Sequence, residues 1–167
     1  NASMVYEIIH YLKNMGYSIE NKKVLKGFRE TQMIARLQKI QENPVILLDG
    51  AHNEDSSLKL VENLKSISNK EDVCFLTSIL EDKDIGKILK NFSSVADKIV
   101  YTSLKDYHRG LGAKEMYDRD IYFDNRKYYE NMVEAYNEAK KSKIVVVAGS
   151  FYLLCEFRRV IESENRL

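Results

Sequence analysis

One short stretch of the chain combines residue types that could do chemistry: residues 47–53, with the sequence LLDGAHN. Asp49 could accept hydrogen bonds from hydroxyl groups, and His52 could meet an anion or carry a proton. The apolar run before this stretch is typical of a buried parallel strand, and apolar residues at helical spacing follow it. Ligands of open α/β sheets bind beyond the carboxyl ends of the strands, where helix N-termini favour anions. The sequence therefore predicts a ligand site at this turn.

The same turn also has a structural interpretation, which the sequence leaves open. Gly50 could make the turn, Asn53 could cap the helix and Asp49 could bond nearby backbone. A second strand-to-helix turn, at residues 148–150, favours a ligand site over the purely structural interpretation. There Ser150 follows a glycine that allows close approach of the backbone, and its hydroxyl can cap a helix or hold a carboxylate.

Two further polar segments are weaker candidates. Residues 81–84 (EDKD) could seat a cation, but acidic residues at a helix start are the favoured interpretation. Residues 107–110 (YHRG) offer a phosphate-type contact, although an ordinary exposed loop is favoured. The carboxyl ends of parallel strands would gather these two segments at one edge of the sheet, together with residues 49–53, Ser150 and the pair Asp124-Asn125.

Several chemical motifs are absent from the sequence. It has no Gly-x-x-x-x-Gly-Lys-Ser/Thr phosphate loop and no Gly-x-Ser-x-Gly nucleophile elbow. Its three histidines and two cysteines show no spacing typical of metal ligands, so we predict no metal site in this chain. We therefore expect that the chain cannot activate a phosphate or a nucleophile unaided.

The elements that must position these residues alternate along the chain. We predict an α/β fold: a doubly wound, mainly parallel, Rossmann-like sheet with helices on both faces and right-handed crossovers. Residues 36–42 are expected to form an edge strand that pairs with 44–49. The other predicted strands lie at 73–76, 99–101, 121–123 and 144–147. Helices are predicted at 4–15, 20–28, 54–67, 84–92, 128–141 and 151–163, with a polar loop containing a helical turn at 103–119.

Composition excludes some classes of protein. Hydrophobic residues make up 44% and charged residues 31% of the 167 residues, which is typical of a soluble globule. The net charge of +1 is dispersed, which argues against a nucleic-acid surface, and the apolar runs are too short to span a membrane. Cys74 and Cys155 are expected to be unpaired, buried thiols, which fits a reducing cytoplasm.

The amino-terminal part is expected to stand apart from the domain. Residues 1–35 are interpreted as a scar from tag removal followed by the tail or linker of a missing preceding domain, and residues 36–167 as the domain itself. The alternative for residues 3–30 is a small accessory hairpin native to a complete protein. On the first interpretation this segment is docked or partly mobile.

Four segments carry a resemblance to a known family: residues 34–37 (IARL), 48–53 (LDGAHN), 81–85 (EDKDI) and 148–153 (AGSFYL). In order and spacing they resemble the C-terminal domain of the folylpolyglutamate synthase/dihydrofolate synthase family, in the Mur ligase superfamily. The likeness covers roughly residues 33–162. The chain departs from the family pattern at residues 34–38, at Glu54, where proline is usual, and at Gly110, where alanine is usual.

The resemblance implies an ATP-dependent ligase that forms an acyl phosphate on folate or dihydropteroate, which the amine of L-glutamate then attacks. It implies that Asp49 binds the ATP ribose and Arg36 the ATP phosphates. His52 and Ser150 would lie near the incoming glutamate, and Asn53 would shape the turn. The phosphate loop and the Mg²⁺ ligands would belong to an N-terminal ATPase domain, so this chain would be inactive alone.

Two alternatives stay open at this point. One is the C-terminal domain of another Mur-type amide ligase, acting on a cell-wall precursor or a cyanophycin-like polymer. The other is a free-standing module that binds a nucleotide or an amino acid. The preference between folate and dihydropteroate, the number of glutamates added and the oligomeric state are equally open.

Overall fold

A computed structural model of the chain describes residues 2–31, 33–105 and 107–164. The chain divides into two compact units, Asn1–Ile34 and Ala35–Leu167. The first residue of the predicted tag scar, Asn1, lies outside the described residues. Within the described residues no helix is both long and apolar enough to cross a membrane.

The first unit is a pair of helices, α1 (Ala2–Asn14) and α2 (Asn21–Glu30), which confirms the two helices predicted there. None of the described residues of these helices is buried. Apolar side chains that include Val5, Ile9 and Phe28 line a groove of about 680 Å³ within this unit.

The second unit is built on a six-stranded sheet with the order β1-β2-β6-β3-β4-β5. The strands β2 to β6 are all parallel, and β1 pairs antiparallel with β2 at one edge, as predicted. The central strands are continuous runs of apolar residues because both of their faces are covered. The bounds are β1 Gln38–Glu42, β2 Val45–Leu48, β3 Val73–Thr77, β4 Lys98–Thr102, β5 Asn125–Tyr129 and β6 Ile144–Ala148.

Helices cover both faces of the sheet, which confirms the predicted doubly wound α/β architecture. One core lies under α3 (Glu54–Lys65), α4 (Ile85–Ser93) and α5 (Ala113–Arg119), where Phe75 and Phe92 stack with their ring centroids 4.0 Å apart. The other core lies under α6 (Met132–Ala139) and α7 (Phe151–Glu164). A short 3-10 helix, Lys70–Asp72, precedes β3.

The strand predicted at 121–123 is wrong, because that segment is a turn. Ile121 is 82% exposed, and one carboxylate oxygen of Asp120 accepts hydrogen bonds from the N–H groups of Tyr122 (2.8 Å) and Phe123 (3.3 Å). The strand follows at Asn125–Tyr129, and helix α6 begins only at Met132, so residues 128–131 are not helical as predicted.

This shift moves two candidate residues away from the site. In the parallel pairing of β4 with β5, Asn125 lies beside Lys98, the first residue of β4. Asp124 and Asn125 therefore lie at the amino edge of the sheet, opposite the edge predicted for them. Two smaller predictions also change: the 103–119 segment contains the two-turn helix α5, and Cys155 is exposed, while Cys74 is buried as expected.

Candidate functional site

Asp49 lies at the carboxyl end of β2 and is buried, with 7% of its surface exposed. Both of its carboxylate oxygens accept backbone hydrogen bonds: Oδ2 from the N–H of Leu37 at 2.8 Å and Oδ1 from the N–H of Ala51 at 2.9 Å. Burial raises the pKa of Asp49, and these two hydrogen bonds and the nearby charge of Arg36 oppose that rise. The carboxylate thus links two segments of the chain.

Arg36 lies in a tight turn that precedes β1. The residues on either side of it, Ala35 and Leu37, both adopt positive φ angles, of 56° and 41°. The turn is tied to the Asp49 segment by a hydrogen bond from the N–H of Gly50 to the carbonyl of Ala35, at 2.8 Å. A Cβ added to Gly50 would lie 3.3 Å from Nη1 of Arg36, so the guanidinium group lies beside the Gly50 backbone.

His52 is fixed in the same turn. Its Nδ1 lies 2.8 Å from the carbonyl oxygen of Gly50. Because a carbonyl oxygen only accepts, Nδ1 carries the hydrogen, and Nε2 is the ring nitrogen available to a ligand. The imidazole also contacts the ring of Phe151, with centroids 5.6 Å apart.

Asn53 caps helix α3. Its side chain accepts a hydrogen bond from the N–H of Ser56 at 2.9 Å, and the Ser56 hydroxyl oxygen accepts one from the N–H of Asn53 at 3.1 Å. This reciprocal arrangement satisfies donors that the first helical turn leaves free. The structural interpretation of Asn53 is confirmed.

Ser150 immediately precedes helix α7 and is almost fully buried, with 1% of its surface exposed. Its hydroxyl oxygen accepts a hydrogen bond from the N–H of Leu153 at 3.1 Å. The hydroxyl hydrogen is left for another acceptor, and the free N–H groups of the first turn of α7 favour an anion. Gly149 before it has a φ of +130° and donates its N–H to the carbonyl of Ala51 at 2.8 Å, which joins the two strand-to-helix turns.

A cleft of about 250 Å³ lies at this carboxyl edge of the sheet. On the wall of this cleft, the carboxylate of Asp82 forms ion pairs with Arg109 at 3.1 Å and with Lys83 at 2.8 Å. The hydrogen bond from Lys83 and the charges of both cations lower the pKa of Asp82. The two cations and one carboxylate leave a net positive charge that suits an anionic ligand. The lining residues are His52, Leu80, Asp82, Lys83, Tyr107, Arg109, Ser150, Phe151 and Tyr152.

The structure thus brings two of the five predicted site residues, His52 and Ser150, to one cleft. Arg36 and Asp49 do not line it, although Arg36 lies beside Gly50, which is close to Phe151 of the lining. Asn53 does not line it either. Arg109 and Lys83 belong to segments for which the sequence favoured an ordinary loop and a helix start.

Three further aromatic residues line the cleft: Tyr107, which belongs to the weaker candidate segment 107–110, and Phe151 and Tyr152, which were not predicted as site residues. The rings of Tyr107 and Tyr152 stack with centroids 3.7 Å apart. The sequence did carry a signal for two of them, since Phe151 and Tyr152 directly follow Gly149-Ser150 at the start of a helix.

The acidic segment at 81–84 precedes helix α4, and its last residue, Asp84, starts the helix, as favoured from the sequence. Asp84 is the N-cap of α4 and accepts a hydrogen bond from the N–H of Lys87 at 3.2 Å. Among the described residues, no group of three or more His, Cys, Asp or Glu side chains could hold a metal ion.

The fold and this edge define a class: an α/β domain whose polar and charged side chains gather where parallel strands turn into helices. Residues 35–151 match the family model described as "Mur ligase, glutamate ligase domain". The chain belongs to this family, which confirms the resemblance drawn from the sequence.

Curated and solved relatives agree with this assignment. A dihydrofolate synthase/folylpolyglutamate synthase of Bacillus subtilis is 30% identical over 145 residues, covering 84% of this chain. The chain spans only 33% of that relative's length. The structure of Escherichia coli FolC in complex with ADP, without folate substrate, has a TM-score of 0.83 at 23% identity and covers 95% of this chain and 39% of its own. A bifunctional folylpolyglutamate synthase/dihydrofolate synthase with Mn, AMPPNP and L-glutamate bound has a TM-score of 0.76 at 23% identity, covering 87% of this chain and 36% of its own.

Proposed function

We propose that this chain is the C-terminal domain of an ATP-dependent ligase that adds L-glutamate to folate or dihydropteroate. Its relatives carry the names of such enzymes, and one solved relative holds L-glutamate and an ATP analogue. The observation that carries the proposal is the cleft on which His52 and Ser150 meet Lys83 and Arg109. The relatives favour this function over a cell-wall ligase and over a free-standing binding module.

The cleft suits an amino acid with two carboxylates. Lys83 and Arg109 give it positive charge, and the first turn of α7 adds backbone N–H donors. Ser150 can donate its hydroxyl hydrogen to a carboxylate, since its oxygen already accepts from Leu153. Nε2 of His52 can accept a hydrogen bond from an amine, because Nδ1 is held by Gly50.

In the proposed reaction, ATP transfers its terminal phosphate to the terminal carboxylate of the folate or dihydropteroate substrate, which releases ADP. The amine of L-glutamate attacks the resulting acyl phosphate and loses a proton, an amide bond forms and phosphate leaves. This chain would hold glutamate in place for that attack, which lowers the entropic part of the barrier. Arg36 would contact the ATP phosphates. The ribose contact predicted for Asp49 stays a prediction.

The proposed partners follow from this role. The substrates are ATP, L-glutamate and a folate or dihydropteroate, and the phosphate loop and Mg²⁺ ligands would come from an N-terminal ATPase domain of the same enzyme. The donor groups of the described residues do not form a metal site, so no step is assigned to a metal in this chain. We propose that the enzyme acts in the cytoplasm, without nucleic acid or membrane partners.

The experiment uses the full-length ligase and varies ATP and glutamate separately. We expect His52→Ala and Arg109→Ala to raise KM for glutamate by about tenfold, the effect of losing one charge-assisted hydrogen bond, with KM for ATP nearly unchanged. The matched control is Arg119→Ala, which removes an arginine paired with Glu115 on α5, outside the cleft lining. Unchanged kinetics for glutamate in both cleft variants would refute the glutamate site. Ligation of glutamate by the 167-residue chain alone would refute the role of a partner domain.

A further inference from the structure

We propose that Asp49 is a positioning residue whose carboxylate holds the turn that presents Arg36. Ala35 and Leu37 both lie in the left-handed region, with φ angles of 56° and 41°, and neither is a glycine. Residues with a Cβ adopt this region at a cost in energy, so a turn with two of them needs bonds from outside to persist.

Asp49 supplies such a bond from the end of β2. Its Oδ2 accepts the N–H of Leu37 at 2.8 Å, twelve residues away in sequence. The next residue, Gly50, donates its N–H to the carbonyl of Ala35 at 2.8 Å. Two consecutive residues, Asp49 and Gly50, therefore hold both of the left-handed residues that flank Arg36.

A carboxylate is the side chain that this arrangement requires. The N–H groups of Leu37 and Ala51 approach from two segments, and each needs an acceptor of its own. Ionised aspartate offers two acceptor oxygens, whereas the amide of asparagine would point its NH₂ donor at one of these N–H groups. With both oxygens engaged and only 7% of Asp49 exposed, the carboxylate is held between the two segments that it joins.

The consequence concerns the guanidinium group of Arg36. With the turn closed, Nη1 of Arg36 lies beside Gly50, close to the first residue of α7. Without the bond to Asp49, the turn would be free to leave the left-handed conformation. Arg36 would then lose its fixed place at the carboxyl edge of the sheet. The kinetic test of this inference rests on the proposed function, whereas the hydrogen bond from Leu37 to Asp49 can be tested on this chain alone.

The first experiment measures hydrogen exchange at the Leu37 amide and thermal unfolding in the 167-residue chain. We expect Asp49→Ala and Asp49→Asn to speed exchange at Leu37 by about tenfold, as expected for the loss of one buried hydrogen bond to a charged acceptor. Amides of β6 report the change in global stability of the same variants and serve as the reference. Unchanged protection of the Leu37 amide in both variants would overturn the proposal.

A matched pair of substitutions tests the strain. Leu37→Gly and Leu37→Ala both remove the packing of the leucine side chain, but only glycine removes the cost of the left-handed conformation. With Asp49 in place, the Leu37→Gly variant should have a higher melting temperature than the Leu37→Ala variant. Equal melting temperatures for these two variants would show that strain at Leu37 does not matter.

The second experiment is kinetic and uses the full-length ligase. If Asp49 acts through Arg36, then Asp49→Ala and Arg36→Ala should each raise KM for ATP, and the double variant should be no worse than the more impaired single variant. Additive effects would overturn the proposal in favour of a direct nucleotide contact by Asp49. A lower melting temperature with unchanged KM for ATP would reduce Asp49 to a structural residue. Absence of ligation by the unaltered enzyme would instead refute the proposed function, while the exchange experiment would still decide on the bond.

Discussion

Gly149 lies so close to Thr77 that a Cβ added to the glycine would lie 2.5 Å from the threonine Oγ1. The threonine hydroxyl is held in place, because it donates a hydrogen bond to the carbonyl of Ala148 at 2.6 Å. The same Cβ would lie 2.7 Å from the backbone oxygen of Ser78. The turn from β6 into α7 therefore closes around a position that has no side chain.

Gly149→Ala should destabilise the domain strongly. The new methyl group would meet backbone that cannot yield, and alanine is strained at a φ of +130°. We expect a loss of about 3 kcal/mol or more in the free energy of unfolding, measured with denaturant. The control is Gly86→Ala in α4, where the nearest atom would lie at an ordinary 3.6 Å. This change should stabilise the protein by about 0.5–1 kcal/mol, because alanine favours a helix. Equal effects of the two substitutions would contradict this account.

The central strands could be predicted from the sequence because they are buried on both faces. The run Ile144–Ala148, for example, is apolar throughout and is followed directly by a glycine and a serine. Strand β5 could not be predicted in the same way, because it lies at the edge of the sheet and none of its residues is fully buried. Its Tyr129 also lies at helical spacing with Met132, Val133 and Tyr136, which extended the predicted helix backwards.

The sequence could predict the site residues that directly follow a strand. It could not predict the contacts between segments that are far apart in the sequence. Positions 49–53 and Ser150 follow directly from strands, so their place at the carboxyl edge could be predicted. The bond from Leu37 to Asp49 and the ion pair of Asp82 with Arg109 depend on how loops close in space. No periodicity or motif in the sequence carries that information.

Asn53→Ala should affect stability and leave the chemistry nearly intact. The asparagine accepts the N–H of Ser56 and caps α3, but it does not line the cleft. Loss of a cap costs about 1 kcal/mol, which lowers the melting temperature by roughly 2–4 °C in a chain of this size. Asn63→Ala, at an exposed position in the same helix, should change it much less. A raised KM for glutamate in full-length Asn53→Ala, at temperatures where it stays folded, would instead place Asn53 in the binding site.

Glu138 should make the domain sensitive to acid. Its buried carboxylate accepts hydrogen bonds from Lys98 and Lys127 at 3.0 Å and from Lys141 at 2.7 Å. Burial acts to raise the pKa of Glu138, but the bonds from the three lysines outweigh it and lower the pKa from 4.5 to about 2. A lowered pKa means that the folded state binds this proton less readily than the unfolded state. The stabilisation is therefore complete above pH 4.5 and is lost as the pH falls from 4.5 towards about 2.

Replacing Glu138 tests this contribution. Glu138→Gln should lower the free energy of unfolding by about 1–3 kcal/mol at pH 7, because Lys98 stays half buried without its counter-charge. It should also flatten the pH dependence of stability between pH 4.5 and about 2. Glu134→Gln, at an exposed position of the same helix, is the control and should leave both unchanged. Chemical denaturation at several pH values measures both effects, and an unaltered pH profile in Glu138→Gln would contradict the assignment.

Helices α1 and α2 should exchange their amide hydrogens much faster than the sheet. No described residue of either helix is buried, whereas four of the five residues of β6 are. Hydrogen bonds open at low cost where few apolar contacts must be broken, so protection should follow burial. Native-state hydrogen exchange followed by mass spectrometry or NMR would measure both regions in one sample. We expect residues 5–12 to exchange through local opening, with little dependence on denaturant, and residues 145–148 to exchange only through global unfolding. Equal protection of the two regions would mean that the helical pair is an integral part of the folded core.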